Sequence, residues 1–308
     1  MLENVIKWLT ESIILKIEST EFRSNKTRCA ADFYRPDCHH PHPTIVMAHG
    51  FAGQRNFRLP AFAERFCAAG FAVLLFDYRS FGDSDGKPRQ HINPWRQLED
   101  WRAAISHARQ DQQVDPSKIY LWGSSFSGGH VVSIAAEDHT IAGLIAQVPF
   151  VSGLALTRTM APAHALSLSL HGMLDALKAL LGLAPVTYPV VAADCKRALL
   201  DTDECYPNYR RLSDNDPHWQ NAVPARIALQ LPFYNPLYNA QKVRCPALIL
   251  AATEDSLIPY DLVKTMAERI PLGQLITLHA DHFKPYFDDD FEINISHQLN
   301  FLGQQIQT

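Results

Sequence analysis

The chain has 308 residues, of which 47% are apolar and 19% charged, and its 28 basic and 32 acidic side chains leave a net charge of −4. That profile excludes a disordered, collagenous or coiled-coil protein, and the lack of a basic run argues against nucleic acid as a partner. The length fits two domains of ~150 residues or one large α/β domain with an insertion.

The start of the chain, Met1 to Thr10, has Lys7 within it and no basic leader ahead of an apolar run, so no signal peptide is expected. Ile13–Ile17 and Cys29–Tyr34 read as a leading antiparallel pair. The apolar runs Thr44–Ala48, Ala72–Tyr78, Ile119–Trp122, Ile141–Phe150 and Ala247–Ala252 follow, with Gln274–Leu278 near the end. Most are continuous rather than alternating, which suits strands covered on both faces in a parallel sheet. Helices fit between them. Leu59–Ala69 has Pro60 near its start and Gly70 past its end. Pro94–Arg109 repeats Trp95, Leu98, Trp101, Ile105 and Ala108 at spacings of three and four. Ser127–Ala136, Asp261–Ile270 and a closing helix holding His297 complete the series. Strand and helix in alternation predict an α/β fold with a doubly wound, mostly parallel sheet.

The longest stretch without Lys, Arg, Asp or Glu lies between Asp138 and Arg158. It contains Gln147, Pro149 and Gly153, so it reads as a strand leaving its sheet, and no stable membrane insertion is expected. From Val151 to about Asn235 the rhythm breaks: a charge-poor helical segment, Ala163–Leu183, precedes a stretch rich in Pro and aromatic residues. An insertion between two strands sits over the crevice where open sheets bind ligands. We therefore divide the chain into a core of residues 1–150, a largely helical cap of 151–235 and the rest of the core, 236–308.

The third strand runs into its helix through Gly123-Ser124-Ser125-Phe126-Ser127-Gly128-Gly129. A nucleophile on a strand-to-helix elbow needs small residues two positions to either side. Ser125 has Gly123 and Ser127, whereas Ser124 is flanked by Trp122 and Phe126. Ser127 also has small neighbours but lies about half a turn into the helix, so Ser125 is preferred. A serine hydroxyl needs a base, and the usual base is a histidine oriented by a carboxylate. Asp255, in the loop after Ala247–Ala252, and His282, after Gln274–Leu278, stand in the chain order Ser, Asp, His. Glu254 and His279 are the alternatives. Negative charge on a carbonyl oxygen would be met by two backbone N–H groups. One belongs to Phe126, the residue after the serine. The other belongs to Phe51, in the loop His49-Gly50-Phe51-Ala52-Gly53. Gly50 permits close backbone approach, and His49 is expected to fix the loop rather than act as a base. His130 reads as a packed helix residue.

These pieces resemble the serine hydrolases of the α/β-hydrolase superfamily: His49-Gly50-Phe51, Phe76-Asp77-Tyr78-Arg79 with Phe81-Gly82, the elbow, Thr253-Glu254-Asp255 and His282-Phe283. Within it the chain is similar to bacterial proteins grouped as dienelactone-hydrolase-like or polyketide-transferase-like. The resemblance implies the α/β-hydrolase fold with a structural Asp77 and Arg79. It also implies carboxylic-ester cleavage through an acyl-enzyme on Ser125, or thioester cleavage, amide cleavage or acyl transfer by the same three groups. A non-catalytic binding protein of the same fold is the alternative from another class. The charge-poor cap points to small or medium apolar acyl or alkyl esters, and activity should fall below pH ~6–7 because His282 must be neutral. No cofactor and no metal are expected; Cys38-His39-His40-Pro41-His42 lacks a second ligand pair. The partner is then a small-molecule ester, and cap and edge strands both offer surfaces for a homodimer. Six scattered cysteines without a C-x-x-C pair suggest reduced thiols and a cytoplasmic location.

Overall fold

The computed structural model describes residues 15–37, 41–193, 198–213, 216 and 219–306, with Thr159 given by its backbone alone. Eight strands form one sheet: β1 (Lys16–Ser24), β2 (Thr27–Arg35), β3 (His42–Ala48), β4 (Ala72–Phe76), β5 (Val114–Ser124), β6 (Gly143–Gln147), β9 (Ala247–Ala252) and β10 (Gly273–Leu278). The short pair β7 (Thr187–Tyr188) and β8 (Val223–Pro224) stands apart. The order across the large sheet is β1-β2-β4-β3-β5-β6-β9-β10. β2 pairs antiparallel with β1 and β4, and every other pairing is parallel. Helices α1 (Leu59–Ala68), α2 (Pro94–Gln110), α3 (Phe126–Glu137), α9 (Tyr260–Arg269) and α10 (Asp288–Ile306) belong to this core. Between β6 and β9 the chain carries α4 (Gly153–Thr159), α5 (Pro162–Leu180), α6 (Cys205–Ser213), α7 (Ile227–Gln230) and α8 (Pro236–Asn239).

The continuous apolar runs are the central strands, and both their faces are covered. Val46, Leu74, Leu121 and Leu144 are all fully buried. The connection from β3 turns one way to β4, and the chain then returns to place β5 on the other side of β3. That reversal is a topological switch point, where open sheets leave a crevice at the carboxyl ends of their strands. The loops after β3 and β5 both open there.

Three differences from the sequence reading have local causes. The apolar run Ile141–Phe150 is strand only over Gly143–Gln147. Val148 takes a positive φ of 37°, and Pro149 has no N–H for a ladder, so the chain leaves the sheet there. The first strand begins at Lys16 and runs to Ser24, longer than the apolar signal, because it is an edge strand studded with Lys16, Glu18, Glu21 and Arg23. Such charges protect an exposed edge from pairing with other chains. The part of that expectation on residues 13 and 14 lies outside the described residues, as do Cys38, His39 and His40. The third strand starts earlier than expected, at Val114.

Candidate active site

Ser125 sits between β5 and α3 with φ 56° and ψ −120°, a backbone conformation that L-residues rarely adopt. Neighbouring chain holds it there. Its N–H donates to the Gln147 carbonyl at 2.9 Å, and its own carbonyl accepts from Phe150 N–H at 2.8 Å and Gly129 N–H at 3.2 Å. The need for small residues is steric: a Cβ at Gly123 would lie 2.4 Å from the Ser127 carbonyl oxygen. The other two elbow serines are occupied elsewhere. Ser124 Oγ accepts from Tyr286 OH at 2.6 Å and from Gln147 Nε2 at 3.0 Å. Ser127 Oγ, fully buried, is 3.1 Å from Tyr78 OH.

The loops after β9 and β10 continue the pairing of their strands. Thr253 N–H donates to the Leu278 carbonyl at 2.9 Å and Glu254 N–H to the Ala280 carbonyl at 3.0 Å. This brings Asp255 and His282 side by side. Asp255 Oδ2 lies 2.7 Å from His282 Nδ1, and His282 Nε2 lies 3.0 Å from Ser125 Oγ. The second carboxylate oxygen accepts from Leu257 N–H at 2.9 Å and Ile258 N–H at 2.8 Å, which fixes its orientation. Burial of His282 by itself lowers its pKa. The Asp255 carboxylate, by charge and hydrogen bond, and the charges of Glu204 and Asp281 more than offset that and raise it above the ordinary 6.5. The alternatives point away: Glu254 is exposed beside Lys284, and His279 is exposed at the end of β10. His130 is fully buried between Tyr234 OH at 2.6 Å and Gln97 Oε1 at 3.1 Å.

The loop after β3 passes close to the elbow. A Cβ at Gly50 would lie 3.2 Å from the Ser125 Cβ and 3.1 Å from the Ser124 carbonyl oxygen, so only glycine fits without displacement. Phe126 N–H, at the first position of α3, is one of the helix N–H groups left without an intrahelical acceptor. The ring of Phe51 packs edge-on to that of Phe126, 5.4 Å between centroids. His49 Nδ1 lies 3.0 Å from the Gly50 carbonyl. A carbonyl only accepts, so Nδ1 carries the proton, and this bond orients the peptide plane that holds Phe51 N–H. Asp77 supports the same loop by accepting from Arg55 N–H at 2.8 Å and pairing with the Arg55 guanidinium. Arg79 is tied to Asp100 at 2.7 Å and to Glu99 at 2.6 Å.

Two residues of the insertion hold this loop as well, and sequence reasoning missed both. Tyr209 OH, on α6, donates to the Phe51 carbonyl, and Trp219 Nε1 donates to the Ala52 carbonyl at 2.8 Å. Nothing local in the sequence announces these contacts, which join segments more than 150 residues apart. A third link joins Glu204 Oε1 to Ser256 Oγ at 2.5 Å, next to Asp255. Burial raises the pKa of Glu204, against the hydrogen bond from Ser256.

Ser125 and His282 border a cavity of about 180 Å³. Phe51, Phe126 and Phe150 wall it from the core, and Leu156, Leu168 and Leu199 wall it from the insertion. Among the described residues no cluster of His, Cys, Asp and Glu has the makings of a metal site, and no helix is long and apolar enough to cross a membrane. The four described cysteines, Cys29, Cys67, Cys205 and Cys245, are buried, and none of them is in a disulfide with another described residue.

A mostly parallel sheet with these loops at its switch point defines an α/β hydrolase, and solved structures share the fold. One is the structure of DcsB in complex with its substrate analogue, which superposes with a TM-score of 0.83 at 23% identity over 94% of this chain and 100% of that one. The chain belongs to the serine aminopeptidase S33 family of hydrolases, whose model matches residues 39–280. Among its relatives is the quorum-quenching protein AidA of Acinetobacter baumannii, 38% identical over 92% of this chain and 93% of that protein. Another is the polyketide transferase grgF of a Penicillium species, 32% identical over 86% of this chain and 88% of that protein.

Proposed function

We propose that the protein is a serine hydrolase that cleaves carboxylic esters through an acyl-enzyme on Ser125, with Asp255 and His282 as its acid and base. The observation that carries this reading is the unbroken chain from Asp255 Oδ2 through His282 to Ser125 Oγ, 2.7 Å and then 3.0 Å, at the edge of an apolar cavity. Ser125 Oγ attacks the acyl carbon as its proton passes to His282 Nε2. Asp255 stays ionised, holds Nδ1–H and stabilises the imidazolium. The carbonyl oxygen, now negative, takes hydrogen bonds from the N–H groups of Phe51 and Phe126, with the amino end of α3 adding its dipole. Collapse breaks the ester C–O bond, and His282 returns its proton to the departing alcohol. Water, deprotonated by His282, then attacks the acyl-enzyme and releases the acid and free Ser125. Every step uses the chain's own groups and water.

Residues 151–235 act as the cap that selects the substrate. The cavity is somewhat larger than the ~150 Å³ apolar cavities that take up benzene, and its walls are largely Leu and Phe. That favours small to medium uncharged acyl or alkyl groups, lactones included, since a lactone is a cyclic ester. The test is a panel of p-nitrophenyl esters of graded acyl length, with lactone, thioester and amide counterparts. Turnover of the esters and its loss in Ser125→Ala support the reading, and an ester-inactive protein that turns over amides alone contradicts it. Acyl transfer is the second reading, favoured by the similarity to a polyketide transferase over most of the chain. It predicts that an added alcohol captures the acyl group ahead of water, seen as ester product in place of free acid.

A further inference from the structure

Helix α5 is buried on one side only. Leu168, Gly172 and Asp175 face inward, with Asp175 bound to Arg226 at 2.6 Å. The opposite face carries Leu166, Leu170, Met173, Leu174, Leu177, Leu180 and Leu181, each between 51% and 85% exposed. At 100° per residue these seven occupy an arc of about 120°. Their exposures amount to about four fully exposed leucine side chains, on the order of 600 Å² of apolar surface, at the upper end of what a monomer exposes in one patch. It approaches the ~800 Å² that each partner contributes to a stable interface of standard size.

The spacing within this face names its partner. Leu166, Leu170, Met173, Leu177 and Leu180 alternate steps of four and three, the seam of a heptad repeat, which takes another helix of the same kind. The stripe is also symmetric about its centre. Met173 has Leu170 and Leu166 three and seven positions before it, and Leu177 and Leu180 four and seven positions after it. An antiparallel copy therefore sets Leu166 against Leu180, Leu170 against Leu177, and Met173 against itself on a two-fold axis. A lipid surface fits less well: the helix has no Trp, Tyr or Phe, and Lys178 is its one Lys or Arg.

We propose that the exposed face of α5 is the interface of a two-fold symmetric homodimer, in which the two helices pair antiparallel about Met173. The seam lies opposite Leu168 and does not block the cavity. In a folded subunit the helix is already formed, so a pairing of two heptads bears little of the ordering cost of a free peptide.

Analytical ultracentrifugation of the full chain at about 10 µM tests this. The native protein should sediment as a dimer, and the double variant Leu170→Glu/Leu177→Glu should raise Kd at least ~100-fold and sediment as a monomer. Its far-UV circular dichroism and melting should stay native-like. A second variant does not depend on that one folding: Met173→Cys should cross-link under mild oxidation into a disulfide-bonded dimer on a non-reducing gel, whereas Ser117→Cys, at an exposed position of β5, should not. A monomeric native protein, a dimer that survives the double substitution, or a Met173→Cys that never cross-links would overturn the proposal. So would a monomer that binds neutral phosphatidylcholine vesicles through this stripe, which would assign the face to lipid.

Discussion

Tyr209→Phe removes one hydroxyl from a residue that is outside the proposed triad but holds the loop that carries the Phe51 N–H, the proposed oxyanion donor. The ring stays in place, packed against Trp219, Phe57 and Phe283. What goes is the donor to the Phe51 carbonyl. A buried carbonyl left without its partner costs about 1–3 kcal/mol, which at 1.36 kcal/mol per tenfold sets a range of roughly 5- to 150-fold in rate. Trp219 Nε1 still holds the next carbonyl and His49 the preceding one, so the low end applies, about 5- to 10-fold. The bond to the developing oxyanion exists only in the transition state, and the loss should therefore fall on kcat, with KM of a short-chain ester within about twofold. Adding Trp219→Phe should deepen the loss by more than the product of the two single effects, because both bonds hold one loop. Steady-state kinetics on p-nitrophenyl acetate gives the answer. An unchanged kcat with a raised KM would refute the reasoning and reduce Tyr209 to a wall of the cavity.

Other outcomes follow from the same geometry. The acid limb of kcat/KM should lie above pH 6.5, since His282 must be neutral to accept the Ser125 proton and its pKa is raised. In Asp255→Asn the rate should drop by about 10⁴ and the remaining acid limb should move to lower pH; a limb that stays in place would show that Asp255 does not govern His282. Leu168→Trp should cost about tenfold or more in kcat/KM for the longest ester accepted while sparing the acetyl ester, a discrimination read from the chain-length series. His130 is fully buried, which lowers its pKa to about 3, so it adds stability above pH ~6.5 that is lost as pH falls and the unfolded chain takes up the proton. That contribution falls by about 2 kcal/mol between pH 7 and 5, and urea titrations of His130→Gln should show a pH dependence shallower by that amount.

The parts of this molecule that the sequence made legible are those in which local chemistry and local shape coincide. Gly123, Ser125 and Ser127 reveal an elbow because the steric demand reaches only two residues either way. The proposed acid and base, Asp255 and His282, are legible because each lies in the loop that follows a strand. Strand ends were less visible: Ile141–Phe150 is apolar but for Gln147, and polarity does not register the positive φ at Val148. The edge strand β1 was half hidden because its charges, which protect it, erase the apolar signal. The charge-poor segment Ala163–Leu183 pointed to an apolar pocket, yet its helix divides its side chains. Leu168 borders the cavity, while Leu170 and Leu177 face solvent, and only the packing of α5 against α7 decides which are which. Tyr209 and Trp219 were invisible for a related reason. Their partners are carbonyls of a distant loop, and a carbonyl leaves no mark in the sequence.

The central claim is that Ser125 is made nucleophilic by His282, and covalent labelling reads that directly. Intact-protein mass spectrometry after brief exposure to a fluorophosphonate should show one adduct, mapped to the peptide containing Ser125, absent in Ser125→Ala and slowed at least ~100-fold in His282→Ala. An adduct that persists in Ser125→Ala, or labelling of the native protein no faster than of the His282 variant, would contradict it.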